Sequence, residues 1–138
     1  MKKHLLLIVI ATIFTSCKDE PIIELNKLNG YWEIKNVELK DGSQKDYVIN
    51  PIIDHYKLED SIGYKQKLQP QFDGTYVAIS EAEKFVIQKD SLQLFLKYQT
   101  KFSKWQEEVL QVSDSILVIK NEQEIIYTFK KPIPFTIK

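Results

Sequence analysis

Gly30-Tyr31-Trp32-Glu33-Ile34-Lys35-Asn36-Val37-Glu38-Leu39 is the stretch that decides the fold, and Asp41-Gly42 closes it with a strong turn signal. From Gly30 onward apolar residues recur with period two, the spacing of a half-buried strand rather than a helix. The alternation is cleanest further along, where Leu92, Leu94, Leu96 and Tyr98 share one face, and again in Ile125, Tyr127 and Phe129.

Between these runs lie others of similar length: 52–59, 62–69, 74–80, 84–89, 104–112 and 115–120. Asp60-Ser61, Asp73-Gly74, Asp90-Ser91, Asp114 and Asn121-Glu122 punctuate them. Short strands broken this regularly predict an all-β sandwich or barrel. The connections are too short for parallel crossovers, which need about a dozen residues. Ser103-Lys104-Trp105-Gln106 reads either as the start of a strand or as a helix capping box, and strand is preferred. Residues 21–29 predict one or two helical turns ending at Gly30. The apolar tail from Pro132 contains a second proline, Pro134, and predicts an extended edge or loop.

The chain opens on a basic Met1-Lys2-Lys3-His4, then a ten-residue apolar run from Leu5 to Phe14 interrupted only by Thr12, then Thr15, Ser16 and Cys17. That order describes a secretory leader. The apolar run is short of the about 20 residues that cross a bilayer as a helix. The expected organisation is a leader over 1–16, a tether over 17–24 and one domain over 25–138, a size that suits a single core. Cys17 is the sole cysteine, so no internal disulfide is expected.

Composition narrows function. The sequence carries 19 basic residues, all lysines, against 19 acids. Loss of Lys2 and Lys3 with the leader tips the remainder acidic, which gives no electrostatic case for nucleic acid. Without arginine there are no bidentate guanidinium clamps. His55 is the one histidine beyond the leader, and its neighbour Asp54 would face the opposite side of a strand. No metal cluster, Gly-x-Ser-x-Gly elbow or phosphate loop is present. Glu107 and Glu108 are adjacent, so a strand would separate them. The expectation is a non-catalytic protein with no cofactor and no metal. Tyr64, Tyr76, Tyr98 and Trp105 sit on different predicted strands and are the candidate ligand-binding set. They either fill a barrel's core or line a cavity.

Two resemblances add to this. Phe14-Thr15-Ser16-Cys17 resembles the lipobox of bacterial lipoproteins, which implies cleavage before Cys17 and acylation of that residue. Lys18-Asp19-Glu20 resembles the acidic tag of surface-exposed lipoproteins in Bacteroidetes. Together they imply a lipid-anchored protein of the outer membrane, and the tag implies display outward. Gly30-Tyr31-Trp32, preceded by a helical turn, resembles the Gly-x-Trp motif on the first strand of lipocalins, and the wider pattern resembles lipocalin-like lipoproteins of Bacteroidetes. The resemblance implies an antiparallel up-and-down barrel of about eight strands, with Trp32 packed at its closed end. Lipocalins place an arginine over that tryptophan, and here Lys130 and Lys131 are the candidates for its place. The implied role is binding a small apolar or amphipathic ligand. A filled barrel that docks a protein partner, as an assembly subunit or inhibitor, is the alternative.

Overall fold

A computed structural model describes residues 20–48 and 50–133. The expected leader, Cys17 and most of the acidic tag lie outside the described residues, as does the tail from Pro134. In chain order the elements are a 3-10 turn η1 (Leu25–Leu28), β1 (Gly30–Glu38), β2 (Gln44–Asp46), β3 (Ile53–Glu59), β4 (Ile62–Pro70) and β5 (Tyr76–Ala78). They continue with β6 (Glu83–Asp90), β7 (Gln93–Gln99), β8 (Lys104–Val112), β9 (Ile116–Lys120) and β10 (Ile126–Lys130). The stretch around Ser103 is therefore the lead into a strand, as preferred. Leu92, expected to share the face of Leu94, sits in the turn before β7 and is 97% exposed.

Eight strands run antiparallel in the order β1-β3-β4-β6-β7-β8-β9-β10, and β10 returns to pair with β1. Closure leaves this ring without a free edge. The two short strands are upper halves of broken ones. β2 pairs with β1 at residues 36–38, and β3 pairs with the same side of β1 at 30–33. Residues 47–48 and 50–52 lie in the connection between them. In the same way β5 and β6 lie along one side of β4, with residues 79–82 between them. Asp-Gly builds the two upper hairpins alike. The Asp41 carboxylate accepts from the backbone N–H and hydroxyl of Ser43, and Asp73 does so from Thr75. Gly42 and Gly74 take φ of 86° and 85°, where glycine carries no steric cost.

Alternation fills the lower interior. Trp32, Tyr56, Phe85, Leu96, Tyr98 and Leu117 are among the side chains exposed by 2% or less. Among the described residues every member of this core lies between Leu28 and Phe129, so residues 18–138 carry all of it. The closed end is sealed by the chain entering it. Ile23 bridges to Val112, Leu28 is fully buried, and the Trp32 indole Nε1 donates to the Leu28 carbonyl at 2.9 Å. The Lys131 ammonium lies 3.7 Å from the centre of the Trp32 ring. It occupies the place the resemblance reserved for an arginine, and the stacking cation is a lysine. Burial pushes the Lys131 pKa below 10.5, with Asp114 opposing and Lys27 adding to the shift.

Candidate functional site

Register decides which side chains look into the barrel above the core. On β3, Asp54 is in phase with Tyr56 and Leu58, and its partner across the strand pair is Lys67. On β4, Lys67 and Lys65 are in phase with Gly63, which faces Phe85. On β8, Trp105 and Glu107 are in phase with buried Val109. Charged residues thus take inward positions at mid-height, where the period-two pattern leads one to expect apolar ones.

They meet in pairs. Lys65 Nζ lies 3.1 Å from Glu107 Oε1, an ion pair that reaches across the lumen from β4 to β8. Both side chains are largely buried, at 14% and 12% exposure. Lys67 Nζ lies 3.0 Å from Asp54 Oδ1. Lys65 also stands 5.0 Å above the Tyr98 ring. Burial works against its charge, but Glu107, Asp54 and Glu83 outweigh that, and the Lys65 pKa is raised above 10.5. Burial is also the main reason Tyr56 and Tyr98 hold their protons well above pH 10. The two hydroxyls and Glu107 are close enough to influence one another, but the Tyr98 hydroxyl has no partner in good hydrogen-bonding geometry.

Above this ionic layer is a cavity of about 420 Å³. Asp54, Lys65, Lys67 and Glu107 line it from below, with Trp105, Tyr127, Ile34 and Phe129 in its walls. Asn50, Gln106, Asn121, Glu122 and Gln123 also line it. The volume lies in the range of small-molecule sites, about 300–1,000 Å³. The lower interior is filled with side chains and the upper is not, so core filling and cavity lining both apply, each to one half.

The aromatic set expected from sequence is not brought together. Trp105 lines the cavity, and Tyr98 is stacked beneath it with ring centres 5.0 Å apart and planes 4° from parallel. Tyr64 lies on the outer surface, because its neighbours Gly63 and Lys65 point inward. It is paired with Lys57 and Lys84 and lines a groove with them. Tyr76 is also outside, stacked on Tyr31 at 4.7 Å, which in turn stacks on His55 at 4.5 Å. An interior role therefore stays with Tyr98 and Trp105 and not with Tyr64 or Tyr76. Sequence reading also missed Asp54, Lys65, Lys67, Glu107 and Tyr127. The signal was available in Gly63-x-Lys65-x-Lys67, where two lysines share the phase of a buried glycine.

His55 is half-buried under Tyr31, with its pKa lowered by burial and then by Lys57. Asp54 faces inward, away from it. Glu107 is inside, while Glu108 is outside on Lys120 at 3.0 Å. Among the described residues no group of three or more His, Cys, Asp or Glu could hold a metal ion.

The fold and site define a closed antiparallel barrel of eight strands, with one end sealed around a cation-capped Gly-x-Trp and an open end with a polar cavity. No family model matches the chain, and no curated protein matches it. Among solved structures it is similar to a lipocalin-like protein from Bacteroides uniformis, at 14% identity and a TM-score of 0.47. The match covers 77% of this chain and 99% of that one. The barrel assignment stands on this chain's own strand register.

Proposed function

We propose that this is a lipid-anchored, non-catalytic binding protein of the bacterial cell envelope that holds a small amphipathic ligand in the open end of its barrel. The observation that carries the binding role is the cavity of about 420 Å³ above a fully packed lower half. A barrel whose purpose was only to present an outer face would gain stability by filling that space. Between an apolar and an amphipathic ligand, the ionic layer favours the second. The anchor rests on the lipobox-like Phe14-Thr15-Ser16-Cys17, and outward display on Lys18-Asp19-Glu20. One acyl chain binds membranes only reversibly, whereas the two or three carried by a lipoprotein cysteine make release negligible. No catalytic step is assigned, since the one histidine of the barrel is stacked on its outer wall.

The test is native mass spectrometry of the protein extracted from its own membrane in mild detergent. Expected is the acylated chain carrying a non-covalent small molecule that is lost on activation. A chain that retains a protein subunit and no small molecule would overturn the ligand reading and favour the outer face as the working surface.

A further inference from the structure

Resting on that reading, we propose that the cavity receives its ligand by a neutral, hydroxyl-rich head of about one sugar ring, and selects against charged heads. The argument begins with the floor. An alkyl tail pressed onto Lys65–Glu107 and Lys67–Asp54 would strip water from four charged groups and return no hydrogen bonds, a large cost. The buried part of the ligand must therefore donate and accept. The two pairs offer ammonium donors and carboxylate acceptors side by side, which suits adjacent hydroxyl groups.

Charge argues against an anionic head. Asp54, Glu107 and Glu122 line the cavity against Lys65 and Lys67. Each lysine's charge is already balanced by its own acid, so a ligand carboxylate would share that ammonium and sit beside the negative charge of Glu107 or Asp54. For a cationic head the one acid in excess is Glu122, which already accepts from the Gln106 N–H, and deeper in the floor such a head would meet the two lysines. At the rim, the side-chain amide of Gln123 makes no hydrogen bond to another described residue, while its backbone N–H donates to Asn121 Oδ1. Such an amide can donate and accept at once, as a hydroxyl-bearing ligand requires. Trp105 supplies a flat apolar wall of the same cavity for the carbon face of a ring.

Three water-soluble probes with one aromatic body and different heads test this: phenyl β-D-glucoside, phenylacetate and phenethylammonium. Each is titrated at pH 7 into isotopically labelled residues 18–138, and the indole N–H resonances of Trp105 and Trp32 are followed. The expected result is a shift at Trp105 with Trp32 unmoved, and glucoside binding at least about tenfold tighter than either charged probe, the worth of one hydrogen bond to a charged group. Gln123→Ala, a change at an exposed loop, should weaken the glucoside several-fold. Lys65→Met combined with Glu107→Leu should abolish the preference without leaving an orphan charge. Equal or tighter binding of either charged probe at Trp105 overturns the head-group inference and leaves the cavity reading standing. A glucoside shift that neither variant alters also overturns it. If no probe moves Trp105, both readings fall.

Discussion

Trp32 and Trp105 are chemically identical and structurally opposite. Trp32 is fully buried, donates to the Leu28 carbonyl and carries Lys131 on its face. Truncating such a residue leaves a cavity and an unpaired carbonyl, and Phe or Trp to Ala in cores costs about 3–5 kcal/mol. Trp32→Ala should lower the melting temperature of residues 18–138 by roughly ten degrees or more, at about 4 °C per kcal/mol. Trp105 is only partly buried and lines the cavity, so Trp105→Ala should cost less than about 2 kcal/mol. Denaturant melts of both variants decide it, and a severe Trp105 with a mild Trp32 would reverse the assignment. Gly63 makes a second residue-scale prediction. A Cβ there would stand 2.3 Å from the Phe85 ring and 2.9 Å from the Lys57 carbonyl. Gly63→Ala should destabilise by about 1–3 kcal/mol through overpacking, whereas Gly63→Ala with Phe85→Leu should recover part of the loss. The sequence made Trp32 legible, because Gly-x-Trp after a helical turn places it at the closed end. Gly63 was not legible, since nothing local says which aromatic across the barrel needs its missing side chain.

At the scale of elements, alternation located every barrel strand to within a few residues, because one buried face imposes a two-residue period wherever the wall is regular. It failed where the wall is broken. The three residues of β2 are all exposed, so no apolar face marked them. Tyr64 and Tyr76 look like cavity residues by type, but the phase set by Gly63 and by Tyr31 turns them outward. The inward lysines and acids were hidden by the opposite error, since a charge is ordinarily read as solvent-facing. Their pairing has a measurable signature. Removing one member of a buried ion pair leaves an uncompensated charge and costs about 3–5 kcal/mol, while replacing both with apolar side chains is often neutral or stabilising. Glu107→Leu alone should therefore destabilise strongly, and Lys65→Met with Glu107→Leu should restore stability. Equal losses in the single and paired variants would show that the bridge across the lumen contributes only by packing. The pH dependence has a definite sign. The Lys65 pKa is raised above 10.5, so its contribution is fully present below that value and is lost only as pH climbs through the folded-state pKa.

For the whole molecule, the entry point of the chain sets the orientation of the barrel. Ile23 is pinned to Val112, and the Glu24 N–H donates to the Val112 carbonyl at 2.8 Å, both at the closed end beside η1. Only Lys18 to Ile22 separate that pin from Cys17. Five residues span at most roughly 18 Å even when extended. The proposed lipid on Cys17 would therefore hold the closed end near the bilayer and turn the cavity mouth toward water, where a soluble head could enter. This geometry joins the two halves of the proposed function and can be tested in one preparation. Wild-type protein should partition into the detergent phase, and Cys17→Ser should yield an uncut or soluble product. In vesicles, Trp105 fluorescence in a Trp32→Phe background should be quenched by aqueous acrylamide and not by brominated lipid. A Cys17→Ser protein that still enters the detergent phase at the processed mass would remove the anchor. Quenching of Trp105 by brominated lipid would keep the anchor and reverse the barrel, with its mouth opening onto the membrane.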